Sequence, residues 1–252
     1  MKTIGLTSNL QIFKNITLII FSILMVAGLY SCNKDCFPIK ANGSNVSKNY
    51  SVPAFSGIEL SINANVIVKQ DSIQSLVVEA PENIQERLSL NVSGGILNIS
   101  YKEHCGAVIG GDIKVYATAA QIQSLNISGS GNISSSNALK TPSLNLKISG
   151  SGGITVTTET QSTIANISGS GKMNLFGTTN FEDLKISGSG DFHAYGLNST
   201  NSTIKISGSG NAEVSVSNNL NVEISGSGDV FYKGNPIVNS SISGSGKLKN
   251  TN

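Results

Sequence analysis

The pentapeptide Ile-Ser-Gly-Ser-Gly occurs seven times, starting at Ile127, Ile148, Ile167, Ile186, Ile206, Ile224 and Ile242, with successive spacings of 21, 19, 19, 20, 18 and 18 residues. Around each copy apolar and polar residues alternate, as in Leu184-Lys185-Ile186 before the glycines and Phe192-His193-Ala194 after them. A period of two is the signature of a strand whose side chains point to opposite faces. One such strand cannot bury its apolar face alone. Stacking solves this: if each repeat is one coil of a parallel β-solenoid, the isoleucines form a continuous internal ladder while backbone groups pair with the coils above and below. Inter-strand spacing then sets a rise of roughly 4.8 Å per coil, so seven coils make a rod about 30 Å long.

The same register predicts further ladders. Two residues before each isoleucine stand Leu125, Leu146, Ala165, Leu184, Ile204, Val222 and Ser240, and two residues after each second glycine stand Ile133, Ile154, Met173, Phe192, Ala212, Val230 and Leu248. Both read as interior, with Phe192 beside Ala212 giving large-against-small packing. The position just before each isoleucine (Asn126, Lys147, Asn166, Lys185, Lys205, Glu223, Ser241) reads as a solvated face.

Glycines at a corner let coils stack closely, and the intervening serines can hydrogen-bond along the stack. A phosphate cradle would need a helix amino terminus after the glycines, whereas here the glycines lead into strands. A calcium roll would need acidic residues in consecutive short coils; the position after the second glycine holds Asn132, Gly153, Lys172, Asp191, Asn211, Asp229 and Lys247, so lysine interrupts any such column.

Before Ile127 the pattern is irregular but strand-like, with Gly94-Gly95 reading as a hairpin and 81–87 as a helical turn or a loop. This section is expected to cap the growing end. At the other end Ser240, Lys247 and Lys249 make the last copy more polar, which discourages end-to-end strand addition.

The amino terminus reads differently. Ile16 to Leu29 is an uncharged apolar run of fourteen residues preceded by Lys2 and Lys14, too short for a stable membrane span and arranged as a secretory signal. Leu29-Tyr30-Ser31-Cys32 resembles a bacterial lipobox, whose cysteine is acylated and becomes the new first residue; Tyr30 departs from the usual small residue. Asn33-Lys34-Asp35 resembles the charged tag of surface-directed Bacteroidetes lipoproteins, and Asp71-Ser72-Ile73 resembles a short O-glycosylation site of that group. The expected organisation is a signal peptide over 1–31, a tether over 32–48 rich in Asn and Ser, and a solenoid over 49–252. Cys36 and Cys105 could pair in an oxidising envelope or remain unpaired, and spacing does not choose between these.

Removal of Lys2 and Lys14 leaves 15 basic against 15 acidic residues, a balance with no electrostatic handle for nucleic acid. Two histidines and three cysteines are too few for a multi-ligand zinc or iron–sulfur framework, and neither a cofactor nor a metal is expected. Asp191, Glu213 and Asp229 are the carboxylates that stacking could gather for sugar hydrolysis, but their registers differ. His104 and His193 occupy unlike contexts and suggest no catalytic triad. The expectation is therefore a protein that is not an enzyme.

One surface invites a binding hypothesis. Counted from the second glycine, Asn174 and His193 share an outward position in neighbouring coils, and Phe176 and Tyr195 share the next, with Phe231 and Lys233 two coils further on. Rings beside amide and imidazole donors suit a sugar-binding surface. The competing reading is that the rings fold over a strand end or pack beneath a loop.

Phe55-Ser56-Gly57-Ile58, Gly95-Ile96-Leu97-Asn98-Ile99, Ile113-Lys114-Val115-Tyr116 and Leu125-Asn126-Ile127-Ser128-Gly129-Ser130-Gly131 with its later echoes resemble the auto-transporter adhesin family with a GIN head domain. The likeness runs over roughly 50–252. It implies an all-β fold, a single-stranded right-handed parallel β-helix with irregular amino-terminal capping strands, consistent with the usual hand of parallel crossovers. The functional expectation is an exported outer-membrane lipoprotein, held by lipid on Cys32, that offers a polar surface to a glycan or a cell-surface protein. A rigid envelope spacer and a polysaccharide-degrading β-helix are the alternatives. The oligomeric state is left open.

Overall fold

The computed structural model describes residues 38–102 and 108–252. The segment read as a signal peptide, Cys32, Cys36, His104 and Cys105 lie outside the described residues. Nearly everything else is strand. In chain order the repeat region forms β10 (Ser124–Ile127), β11 (Asn132–Ser135), β12 (Leu139–Ile148), β13 (Gly153–Gly169), β14 (Lys172–Gly188), β15 (Asp191–Gly208), β16 (Asn211–Gly226), β17 (Val230–Lys233), β18 (Ile237–Gly244) and β19 (Leu248–Asn250).

These strands stack in parallel with the register that the pentapeptide predicts. Ile127 pairs with Ile148, Ile148 with Ile167, and so on to Ile224 with Ile242. The first six isoleucines are buried, and so are the ladders from Leu125 to Val222 and from Ile133 to Val230. Phe192 lies between Met173 and Ala212, so a large ring is accommodated by a small neighbour. Burying each large apolar side chain contributes roughly 1.5–3 kcal/mol, and the ladder repeats that gain coil after coil. The stack runs out at the last coil: Ile242 is 41% exposed, and Ser240 stands exposed where earlier coils carry a buried apolar residue.

The corners are held by backbone. Ser189 N–H donates to Gly169 O at 2.9 Å and Asp191 N–H to Gly171 O at 3.1 Å, and the same pattern recurs along the stack. Gly188 has φ +128°, a conformation that residues with a Cβ rarely adopt.

The amino-terminal region does more than cap. β3 (Gly57–Leu60) and β4 (Asn65–Gln70) form a full coil in register with the repeats, Leu60 opposite Ile127 and Val66 opposite Ile133. On their other edge lie β7 (Ile96–Tyr101) and β9 (Lys114–Ala119), also parallel. Stacking order is therefore not chain order: residues 57–70 sit between the later coil of 96–119 and the first glycine repeat. The closing cap is built by β5 (Ser75–Pro81), antiparallel on β9, and β6 (Leu88–Ser93), antiparallel on β7 through the Gly94-Gly95 turn. The helical turn α1 (Glu82–Gln85) joins β5 to β6 and buries Ile84.

Residues expected to form the tether also contribute strands. β2 (Asn45–Asn49) pairs antiparallel with β5, and β1 (Ile39–Lys40) pairs parallel with β8 (Val108–Ile109). No helix among the described residues is long and apolar enough to cross a membrane.

Candidate binding surface

The strand after each corner carries alternate side chains outward, and the parallel register sets them in columns. One column reads Thr155, Asn174, His193, Glu213, Phe231 and Lys249 in successive coils. Asn174 Nδ2 donates to Thr155 Oγ1 at 3.1 Å, and His193 Nδ1 lies 2.8 Å from Glu213 Oε2. The His193–Glu213 pair is about one-third exposed, so its polar edge is shared between protein and solvent. Asn174 and His193 thus occupy the shared position that alternation predicts.

Phe176 and Tyr195 do not. A β-bulge shifts the register after Asn174 and His193, so Phe176 pairs with Gly196. Its ring fills the space that a side chain on Gly196 would need, and it remains 46% exposed. Tyr195 is displaced toward the end of the stack, where its hydroxyl lies 3.0 Å from Thr251 Oγ1 and Lys233 Nζ sits 4.4 Å from its ring centroid. Phe176 presents an open ring face, whereas Tyr195 packs against the end of the last strand. The physical reason is the bulge, which inserts an extra residue and re-aims the side chains beyond it.

A second exposed ring escaped the sequence reading. Phe181 is 58% exposed on the same strand, in a column with Ser162, Asn201, Asn219 and Ile237. The signal for it was available: inward parity counted back from Ile186 through Leu184 reaches Glu182, which puts Phe181 outside and the carboxylate inside. Glu182 is buried, and burial pushes its pKa up to about 7, against a smaller opposing pull from the Ser202 and Ser199 hydroxyls.

The carboxylates weighed for hydrolysis are engaged structurally. Asp191 Oδ1 accepts from Asn211 Nδ2 at 3.2 Å, Asn211 Oδ1 accepts the Asp229 backbone N–H at 3.2 Å, and Asp229 Oδ1 accepts the Lys247 backbone N–H at 2.8 Å. This column ties one coil's corner to the next. Among the described residues no group of three or more His, Cys, Asp or Glu is placed to hold a metal ion.

The stack of glycine-cornered coils with its antiparallel cap is matched in sequence as well as shape. Residues 54–236 match the model of the family described as "Putative auto-transporter adhesin, head GIN domain". The chain belongs to this family. Solved structures of similar fold include a "putative adhesin" from Bacteroides fragilis NCTC 9343, 22% identical, with TM-score 0.81 over 84% of this chain and 100% of that one. A "Putative lipid binding protein" from Parabacteroides distasonis ATCC 8503 is 23% identical, with TM-score 0.73 over 85% and 100%. A "putative adhesin" from Parabacteroides merdae ATCC 43184 is 22% identical, with TM-score 0.69 over 85% and 99%. At these identities the likeness is one of fold. No functionally curated protein matches the sequence. Family membership supports an adhesion-like role at the cell surface for this GIN-domain chain.

Proposed function

We propose that this GIN-domain protein is an exported, non-enzymatic adhesion module that holds a glycan against the flank bearing Asn174, Phe176 and His193, with Tyr195 bracing its lower edge. The observation that carries the reading is the Phe176 ring, 46% exposed and set over Gly196, one coil from the His193–Glu213 pair. An open ring face takes the apolar face of a sugar, while amide, imidazole and carboxylate groups beside it orient hydroxyls. The protein is tethered to the outer membrane through lipid on Cys32, a reading that rests on the lipobox-like Leu29-Tyr30-Ser31-Cys32. A glycan array probed with the full chain is expected to show saturable binding that Phe176→Ala lowers at least tenfold; unchanged binding removes this flank as the site. Labelling with a fatty-acid analogue is expected to vanish in Cys32→Ala, and persistent labelling refutes the anchor.

A further inference from the structure

Among the described residues of the repeat stack, the buried polar side chains gather where the coils of β12 to β15 turn back, and there Thr163, Glu182 and Ser202 stand one above another. Both carboxylate oxygens of Glu182 and Oγ of Ser202 are buried without a hydrogen-bond partner. Their neighbours are already committed. Thr160, Thr163 and Thr179 bond one another at 2.8–3.3 Å, Thr179 Oγ1 also donates to Phe181 O at 3.1 Å, and Ser199 Oγ donates to Ser215 O at 2.9 Å. Ser199 spends its hydroxyl proton chiefly on Ser215 O, which leaves the Ser202 hydroxyl as the main donor that can turn toward Glu182, and neither serine brings a positive charge. No charged side chain among the described residues acts on Glu182. A buried cluster of oxygen acceptors with one formal negative charge lacks a positive group, and an unsatisfied buried group of this kind calls for a bound species.

We propose that Glu182, with the hydroxyl oxygens of Ser199 and Ser202, forms an internal binding site for a small monovalent cation, sodium being the probe. Hard oxygen donors select a hard cation. One carboxylate neutralises one charge, whereas a divalent ion would leave a net positive charge buried. The site pins two consecutive coils, those of β14 and β15, together at the corner beneath Phe181, so it acts on the rigidity of the stack.

The test is thermal unfolding of the full chain at pH 8 in sodium chloride and choline chloride of equal concentration, and in calcium chloride of matched ionic strength, together with sodium-23 line widths. Sodium is expected to raise the midpoint by a few degrees over choline and to give a protein-dependent broadening of the sodium signal. Glu182→Gln is expected to abolish both effects, and Ser202→Ala, which keeps the charge and removes one donor, to weaken the apparent affinity several-fold. Equal midpoints in sodium and choline overturn the site, as does a sodium response that survives in Glu182→Gln. A Glu182-dependent response to calcium without one to sodium overturns the monovalent assignment. If Glu182→Gln does not fold, Ser202→Ala and the line widths decide.

Discussion

Gly190 closes over Ile167 of the preceding coil: a Cβ on Gly190 would overlap Cγ2 of Ile167 and lie 2.7 Å from the carbonyl oxygen of Gly171. The glycine of one repeat and the isoleucine of the previous one are therefore a single packing unit. Gly190→Ala is expected to destabilise the protein by about 1–3 kcal/mol, the range for overpacking a well-filled interior. In a double-mutant cycle read by urea unfolding, Ile167→Ala should recover part of that loss, because it removes the overlapping methyl. Strict additivity would show that the two positions do not touch.

Burial holds Glu182 protonated up to about pH 7, whereas in the unfolded chain it ionises near 4.5. Between those values the unfolded state gives up a proton that the folded state keeps, so stability falls as pH rises through this window and levels off above it. The size is on the order of 3 kcal/mol. Denaturant unfolding in sodium-free buffer at pH 5 and pH 8 should show the loss. Glu182→Gln should flatten it and be the more stable protein at pH 8.

The two rings at the proposed binding flank should separate by stability. Phe176→Ala removes an open ring and is expected to change stability by less than about 1 kcal/mol. Tyr195→Phe breaks the bond to Thr251 and should cost about 1 kcal/mol, with faster amide exchange in β19. An equal stability cost for both would mean that Phe176 is packed in solution.

Thr179 is the hub of the buried hydroxyl cluster, meeting Thr160 at 3.0 Å, Thr163 at 3.3 Å and Phe181 O at 3.1 Å. Thr179→Val keeps the shape and strands those partners, so a loss of about 1–3 kcal/mol is expected in chemical denaturation. A neutral outcome would mean that the cluster re-pairs among itself.

Asp229 is read as a brace for the Lys247 backbone N–H, 2.8 Å away. Asp229→Asn retains an acceptor and should be near neutral, whereas Asp229→Ala should cost about 1 kcal/mol. Polysaccharide turnover that depended on Asp229 would overturn the non-enzymatic reading.

Local alternation made much of this legible. Every buried ladder from Leu125 to Val222 and from Ile133 to Val230 is set by parity around the pentapeptide, and the columns of Asn174 with His193 come from the same count. Phe181 and Glu182 obey that parity too, against their own hydrophobicity, because Leu184 and Ile186 commit the strand and a one-residue slip would turn every side chain over. Reading parity two residues further back would have found the buried carboxylate. The 20-residue step from Ile186 to Ile206, one longer than the step before it, announces an extra residue, but only the paired strands show it absorbed beside Tyr195.

The sequence by itself determined the unit: a glycine-cornered coil, its inward and outward faces, and stacking as the way to bury the apolar one. These are short-range properties, set by alternation and by where a Cβ is forbidden. Tertiary structure alone decided that residues 57–70 enter the stack between 96–119 and the first repeat, that Phe176 meets Gly196 in place of Tyr195, and that no charged side chain among the described residues faces Glu182. Each of those outcomes depends on pairing between residues far apart in the chain, where coil lengths differ and the nearest neighbour in space is not the next in sequence.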